Sequence, residues 1–554
     1  MSMARFNVIL ACLFAELPFA RVAAADTKPV FRVRTVAGVD YHNICGSPEQ
    51  LPILEQNGQG IGIIDYDNDG LVDLFVPNGS TESHWRSGKN PGCRLYKNLG
   101  KWRFRDVTDE AGVRGNAWSS GVAVADYDAD GDFDIYVLNW GPNVLYRNNG
   151  NGTFTDVTKE AGVGDPRWSS SAAFADFSND GLLDIFVSNY VRFDYDDYPK
   201  KEKDGRPCLY KAVETGCGPW CYEGERATLY INVGGGRFED RSVAAGLDCT
   251  KGFRGLGVVA ADFDNDGDAD VYVGCDVMPN LYLENVGGGK FRSVGEERGG
   301  ALNEFGMHES GMGVAAVDFD RSGTLDLFTT NFADEKNTFY RNEKGYLTDA
   351  SRAVGFDQHR PDLGWGVLAE DFNQDGLVDV FVANGHIYPQ VKDIPEGTDR
   401  YSQPPRLYLQ SSSGKLEDLE SEKAFGEPLF LSLRGCASAD LDNDGDVDVV
   451  AVQHNGELVF LENRTDHPAL TLELSDAQGG KSPMGARVSM AGAGTRRLLP
   501  NQGYQSSNDH RLHISIPPGR SADHVTVHWP DGRSHEFALP PDAKGVIQLR
   551  QKPR

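Results

Sequence analysis

The stretch Asp440-Leu-Asp-Asn-Asp-Gly-Asp-Val-Asp448 decides the fold of this chain. Carboxylates stand at its positions 1, 3, 5 and 9, and the glycine at position 6 permits a sharp bend of the backbone. Alternate aspartates in a tight turn can point inward together, and calcium takes such oxygen ligands at about 2.3–2.6 Å. The stretch therefore predicts a cation-binding loop between two elements of secondary structure.

The same nine-residue phrase occurs seven times in the 554 residues, which indicates a repeat architecture. Short β-branched and aromatic runs flank the copies, so each phrase is predicted to connect two strands. An EF-hand would instead carry a glutamate at position 12 and then enter a helix. We call the copies acidic loops 1 to 7, and their positions 1, 3, 5 and 9 are the candidate metal ligands: Asp65, Asp67, Asp69 and Asp73; Asp126, Asp128, Asp130 and Asp134; Asp176, Ser178, Asp180 and Asp184; Asp262, Asp264, Asp266 and Asp270; Asp318, Asp320, Ser322 and Asp326; Asp371, Asn373, Asp375 and Asp379; Asp440, Asp442, Asp444 and Asp448.

The seven loops differ in their number of carboxylates. Loops 1, 2, 4 and 7 carry all four, whereas loops 3, 5 and 6 place Ser178, Ser322 and Asn373 at one ligand position. Neutral oxygens still bind calcium, but fewer charges weaken the site. We predict up to seven Ca²⁺ ions, with the alternative that some loops are only Asx turns that cap a hairpin.

A second phrase follows each loop and supplies two further strands. In the second unit it reads LYRN at 145–148 and FTDVT at 154–158, with the turn sequence NGNG between them. Seven units of four strands predict an all-β, seven-bladed β-propeller. The seventh unit lacks the outer phrase, and residues 31–35 resemble it. We therefore predict that residues 30–36 pair with 457–462 and close the ring.

These units resemble the FG-GAP or VCBS repeats of the integrin α-chain propeller, in which such loops bind calcium. Residues 484–504 and 527–533 resemble an ASPIC/UnbV domain, and the combination resembles the cartilage acidic protein family. The resemblance implies a secreted calcium-binding protein without a settled chemistry. We predict a signal peptide at 1–25, the propeller at 26–465 and a small antiparallel β domain at 466–554.

The charge and the first residues restrict the function classes. The net charge of −28 arises largely in the acidic loops, which argues against a nucleic-acid partner. A basic residue, an apolar run and three alanines at 23–25 predict a cleaved signal and a secreted or periplasmic protein. No other stretch reaches the length of a transmembrane segment. Eight further cysteines favour disulfides, and Cys208, Cys217 and Cys221 crowd one insertion.

The long insertions 79–93, 190–227 and 385–405 all connect the second and third strands of a unit, so they lie on the face opposite the acidic loops. Loops carry function more often than the scaffold does. Aromatic side chains on this face can stack on a ligand, with the alternative that the tryptophans only pack between blades. The candidate ligand contacts are Trp118, Trp140, Trp168, Trp365 and His386.

No catalytic motif such as GxSxG or a P-loop is present in the sequence. We therefore predict a non-enzymatic, exported calcium-binding recognition or adhesion protein whose ligand is an extracellular glycan or protein. The alternatives are an enzyme that acts on a polysaccharide or small molecule at the propeller mouth, and a structural matrix protein.

Overall fold

Seven four-stranded antiparallel sheets, named blades 1 to 7 here, form the larger part of the computed structural model. Their first strands contact one another in a closed ring, so the predicted all-β propeller is confirmed. The predicted signal peptide lies outside the described residues. The structure describes residues 30–357, 362–394, 399–465, 467–491, 493–516, 522–540 and 545–553.

Each blade runs from an inner strand at the ring to an outer strand at the rim. The strands of blades 1 to 4 are Gly62–Ile64, Asp73–Val76, Arg94–Asn98 and Phe104–Asp106; Trp118–Ala125, Asp134–Trp140, Val144–Asn148 and Phe154–Asp156; Ser169–Ala175, Asp184–Asn189, Thr228–Asn232 and Phe238–Asp240; Gly255–Ala261, Asp270–Cys275, Leu281–Asn285 and Phe291–Ser293. Those of blades 5 to 7 are Val314–Val317, Asp326–Thr329, Thr338–Glu343 and Tyr346–Asp349; Gly364–Glu370, Asp379–Asn384, Arg406–Gln410 and Leu416–Asp418; Leu433–Ala439, Asp448–Gln453, Leu458–Asn463 and Phe31–Arg34.

Short helices occupy the connections between blades and the insertions. The α-helices are Glu82–Ser87, Thr108–Ala111, Thr158–Ala161, Gly295–Arg298, Ser351–Val354 and Ser421–Phe425. The 3-10 helices are Ile53–Glu55, Pro219–Cys221, Leu247–Thr250 and Pro389–Asp393, and a small hairpin pairs Leu209–Tyr210 with Val213–Glu214. Among the described residues, none of these helices is long and apolar enough to cross a membrane.

The chain closes the ring with its two ends, as the sequence predicts. Phe31 pairs with Asn463 and Arg34 pairs with Phe460, so residues near the start supply the outer strand of blade 7. The buried Phe31 ring packs against Phe372 and Phe425, with centroids 5.4 Å and 6.2 Å away. This strand therefore binds blade 7 both through its backbone and through the core shared with blade 6.

The C-terminal domain contains two sheets packed on a common apolar core. The prediction of an antiparallel domain is wrong for one strand pair, because Ala469–Ser475 and Val546–Arg550 run parallel. The last strand crosses over from the second sheet and returns beside the first strand of the domain in the same direction. The sheets contain, in spatial order, Leu512–Ser515, Ala469–Ser475 and Val546–Arg550; and Gly494–Arg497, Arg487–Met490, His524–His528 and Ser534–Ala538.

A segment of this domain enters the central channel of the propeller, and no sequence motif predicts this contact. We name residues 500–511 the channel segment. Gly503 exchanges two backbone hydrogen bonds with Val314, and Ser507 N–H donates to Ile61 O at 2.9 Å. Inner strands present one free edge to the channel, and buried backbone groups need partners. The channel segment supplies partners for several of them and fixes the domain on the face of the acidic loops.

We predict that Phe31→Ala lowers the free energy of unfolding by about 3–5 kcal/mol, the usual effect of deleting a buried aromatic ring. Denaturant unfolding in the presence of calcium measures the change. Val33→Ala is the matched control, because Val33 lies on the same strand and is 36% exposed. It should change stability by less than about 1 kcal/mol. Equal, small effects of both substitutions would contradict the closure.

Candidate metal centres and the opposite face

The first aspartate of each acidic loop holds the turn. In loop 1, Asp65 Oδ1 accepts a hydrogen bond from Asp69 N–H at 3.1 Å, and its Oδ2 accepts one from Gly70 N–H at 3.0 Å. Asp440 accepts the equivalent pair from Asp444 and Gly445 in loop 7. These loops therefore contain the Asx turn of the alternative interpretation. The turn accounts for the first aspartate and does not account for the carboxylates at positions 3, 5 and 9.

The ninth aspartate is buried in every loop and ties the hairpin to the third strand. Asp73 accepts hydrogen bonds from Tyr66 N–H at 3.2 Å and from Asn98 N–H at 2.7 Å. Equivalent bonds reach the ninth position from the third strand of each other blade. These hydrogen bonds hold the ninth carboxylate in place without the need for a bound ion.

In the four loops that keep every carboxylate, positions 1, 3 and 9 converge. In each of them one oxygen of each residue lies within 4.8 Å of the others. Carboxylate oxygens at such spacing suit a hard divalent cation. The four groups are Asp65, Asp67 and Asp73; Asp126, Asp128 and Asp134; Asp262, Asp264 and Asp270; and Asp440, Asp442 and Asp448.

The third position supplies a test of whether these groups fit a cation. The Oδ1 atoms of Asp67, Asp128 and Asp442 are buried and have no hydrogen-bond partner among the described residues. A buried unpaired oxygen is unfavourable unless something else satisfies it. A cation among the three carboxylates would satisfy these atoms, so the residues present fit a metal ion.

Burial also makes these carboxylates difficult to ionise on their own. It raises the pKa of Asp65, Asp126 and Asp440 to about 6 and that of Asp270 to about 8. Neighbouring aspartates add to the effect in each loop, since like charges oppose ionisation. A bound cation would reverse this balance by favouring the charged form of each ligand.

The remaining loops gather less charge. Loops 3 and 6 lack a carboxylate at the third position, and in loop 5 Asp320 instead pairs with Arg341 at 3.2 Å. Among the described residues, loop 5 does not bring three carboxylates within the spacing seen in the other four. In loop 1, Lys97 pairs with Asp67 and lies 3.0 Å from Asp69, so a side-chain ammonium contributes there as well.

The C-terminal domain brings backbone donors and basic side chains to the acidic loops. Lys481 N–H donates to Asp126 Oδ2 at 2.8 Å, and Ser482 Oγ accepts from Asp126 N–H at 2.9 Å. Arg511 donates to Asp440 O at 3.0 Å, and Arg497 donates to Asp262 O at 3.4 Å. Lys481 Nζ also donates to Asn68 Oδ1 of loop 1 at 2.6 Å, so this domain contacts all four convergent loops.

The structure buries most of the aromatic side chains proposed as ligand contacts. Trp118, Trp168, Trp365 and His386 are buried, and Trp140 is half-buried against Trp85 at 4.7 Å between ring centroids. The three insertions cover these rings with further aromatic residues. The interpretation that they form an open stacking surface is therefore wrong for Trp118 and Trp168, for which the packing alternative holds, and His386 is buried as well.

Packing explains the position of each ring. Trp118 and Trp140 contact Tyr195 of the 190–227 insertion, with centroids 6.0 Å and 5.7 Å from it. Trp168 packs edge-on to Tyr190 at 5.0 Å. Burial lowers the pKa of His386 to about 3, so this ring is neutral at physiological pH. The insertions contribute their own aromatic and aliphatic side chains to the same buried cluster.

Trp365 differs because it also borders a cavity. Its ring packs against Tyr504 of the channel segment at 4.9 Å, and the same ring lines a cavity of about 220 Å³ beneath the 190–227 insertion. A disulfide joins Cys208 and Cys217 in the roof of this cavity, as the crowding of cysteines suggested. Of the five predicted ligand contacts, Trp365 lines this cavity and the other four do not.

Comparison with known proteins agrees with the repeat pattern. The profile of the FG-GAP-like repeat matches residues 65–137, 126–187, 220–273 and 318–382, and that of the ASPIC and UnbV domain matches 477–552. The chain therefore contains FG-GAP-like repeats and an ASPIC/UnbV domain.

Curated relatives of this FG-GAP-repeat protein include cartilage acidic protein 1. The mouse protein is 29% identical over 183 residues, which is 31% of this chain and 27% of the relative. The Xenopus tropicalis protein is 30% identical over 178 residues, which is 30% of this chain and 26% of the relative. The match therefore spans about a quarter of the length of these relatives.

Two solved structures show a weaker similarity. An Agrocybe aegerita lectin that recognises non-reducing terminal N-acetylglucosamine is 17% identical, with a TM-score of 0.38 over 73% of this chain and 94% of its own. YCF48 from Cyanidioschyzon merolae is 12% identical, with a TM-score of 0.35 over 73% and 94%. Similarity at this level carries no argument about the ligand.

We predict that Trp168→Ala lowers the free energy of unfolding by about 3–5 kcal/mol, because the ring is buried between two blades and an insertion. Trp168→Phe retains much of the apolar contact and should lower the free energy of unfolding by clearly less. Thermal and denaturant unfolding measure both. An alanine variant that melts like the parent would show that the ring is not part of the packing.

Proposed function

We propose that this protein is an exported, calcium-stabilised recognition or adhesion module that binds its ligand on the face opposite the acidic loops. The observation that carries the proposal is the convergence of carboxylates in loops 1, 2, 4 and 7, with unpaired third-position oxygens in three of them. Cations held in this way by loop ligands and covered by the C-terminal domain stabilise a scaffold. The proposal is therefore one of binding, without turnover.

Two observations and the expected affinity of the loops support an extracellular setting. The Cys208–Cys217 disulfide is typical of oxidising compartments. Extracellular calcium sites have dissociation constants of about 10⁻⁴–10⁻³ M, which suits loops that rely on three or four carboxylates and backbone oxygens. The curated relatives are named for cartilage, an extracellular tissue. An extracellular glycan or protein is the class of ligand we propose.

We predict that chelation of calcium lowers the melting temperature by many degrees. At roughly 2 mM calcium each site would contribute about 0.6–1.8 kcal/mol, and four sites about 2–7 kcal/mol together. That sum is comparable with the whole stability of many domains. Calorimetry with calcium and with excess chelator tests it, and superimposable melting curves would refute calcium stabilisation.

A matched pair of variants assigns the effect to the loops. Asp128→Asn removes a convergent third-position carboxylate of loop 2, and Asp320→Asn removes the third-position carboxylate of loop 5 that pairs with Arg341. Asp128→Asn should reduce the number of bound calcium ions by one in equilibrium dialysis, whereas Asp320→Asn should leave the four convergent sites filled. Equal losses would show that convergence does not decide calcium binding.

The proposed recognition role is tested separately with glycan and matrix-protein arrays probed with the calcium-loaded protein. Specific binding that survives substitutions in the acidic loops at saturating calcium supports a site on the opposite face. Turnover of a bound glycan would instead favour the enzyme alternative, and ordered self-assembly without a ligand would favour the matrix alternative.

A further inference from the structure

The cavity beneath the 190–227 insertion is walled by rings and apolar side chains. Its roof is the disulfide-bonded hairpin followed by Trp220, which is 42% exposed at the rim. Leu256, Met312 and Trp365 form the inner wall, where Tyr504 of the channel segment closes the axis behind Trp365. At about 220 Å³ the cavity is smaller than the roughly 300–1,000 Å³ typical of sites for drug-sized ligands. It therefore suits a small molecule.

Every acidic or basic side chain that lines the cavity is acidic. Glu202, Asp276 and Glu335 line the cavity, and no lysine, arginine or histidine does so among the described residues. Asp276 is only 7% exposed. Its Oδ2 accepts a hydrogen bond from the hydroxyl of Tyr190, which also lines the cavity.

The carboxylates are held in place by the surrounding backbone and side chains. Glu335 Oε2 accepts a hydrogen bond from Ser310 N–H at 2.8 Å. Glu202 Oε2 accepts one from Trp220 Nε1 at 2.8 Å. Burial raises the pKa of Asp276 to about 6 and that of Glu335 to about 7. The positive charge of Arg254, which does not line the cavity, lowers the pKa of Asp276 and so opposes part of this effect. A positive group beside these carboxyl groups would favour their ionised form.

Aromatic faces and one unused donor complete the site. Six rings line the cavity, and aromatic faces attract cations within about 6 Å. Arg434 already lies 4.5 Å from the ring centroid of Trp365 and Lys211 lies 5.3 Å from that of Tyr210, whereas the other four rings have no such cation among the described residues. Asn57 is 5% exposed, and its Nδ2 has no hydrogen-bond partner among the described residues. The ring residues are Tyr190, Tyr210, Trp220, Phe332, Trp365 and Tyr388.

We propose that this cavity binds a small organic ammonium compound that also carries an oxygen acceptor. Carboxylates and ring faces match the cationic group, and Asn57 matches the acceptor. The volume restricts the ligand to a compact molecule. The inference rests on the proposed recognition function and identifies the ligand class for the face opposite the acidic loops.

The first test compares choline with 3,3-dimethyl-1-butanol, its uncharged isostere, by isothermal titration calorimetry on the calcium-saturated full chain at pH 7.5. Choline should bind, and the isostere should bind at least tenfold more weakly. Equal affinities would overturn the proposal, because charge would then play no part. Absence of choline binding at 10 mM would overturn it as well.

Variants locate the binding. Asp276→Asn retains an acceptor for the Tyr190 hydroxyl, and Glu335→Gln retains the shape of a half-buried side chain; each should weaken choline binding at least tenfold. Asp248→Asn removes an exposed carboxylate outside the cavity and should leave the affinity unchanged. Melting curves in calcium confirm that each variant is folded, and if Asp276→Asn is not, Glu335→Gln alone decides. Unchanged affinity in a folded Glu335→Gln would overturn the assignment.

The failure of this inference is distinguishable from failure of the proposed function. If an array ligand binds the parent and choline neither binds nor competes, the recognition function stands and the ammonium site does not. If no ligand binds and calcium has no effect on melting, the proposed function itself fails.

Discussion

A buried carboxylate at the end of each acidic loop is the constraint on which the propeller depends. It fixes the hairpin through the backbone of the third strand, and the residue that donates this bond also reaches the neighbouring blade. Asn98 Nδ2 donates to Leu441 O across the closure at 2.8 Å, and Asn148 Nδ2 donates to Tyr66 O at 2.8 Å. Gln410 makes the corresponding bond in blade 6. Because the same amide satisfies two blades at once, each unit positions the acidic loop of the unit before it.

A ring built in this way leaves polar groups without partners in two places, at its axis and at the face of the acidic loops. The inner strands carry unpaired backbone groups toward the channel, and the loops accumulate buried aspartates. The channel segment and the C-terminal domain address both, since Gly503 and Ser507 pair with inner strands while Lys481 and Arg511 approach the loops. The C-terminal domain therefore provides hydrogen-bond partners for the propeller, although it does not share the propeller's repeats.

The sequence predicts those features that depend on local chemistry repeated in every unit. The loops and their strands follow from motifs within one unit, and the closure follows from the outer phrase that unit 7 lacks and residues 31–35 resemble. The structure confirms the strands and the pairing of the first described strand with the third strand of blade 7. The bridging amide recurs near the end of the third strand of every blade, in several of them as the asparagine of an LYxN phrase, and this recurrence was the signal for its role. The burial of Trp118 and Trp168 was not predictable, because it depends on how three unrelated insertions pack together. The entry of residues 500–511 into the channel likewise follows from tertiary fit and from no periodicity.

The two ends of the propeller balance negative charge by different means. At the loop face, backbone donors, basic side chains of the C-terminal domain and the proposed calcium ions surround the carboxylates. At the opposite end, Asp276 and Glu335 lie among aromatic rings, and the lining contains no cation among the described residues. A carboxylate in such surroundings is stable only when protonated or when a positive group approaches it. The insertions thus create a second acidic site that is smaller and more apolar than the loops, and its chemistry favours an organic cation over a hydrated metal ion.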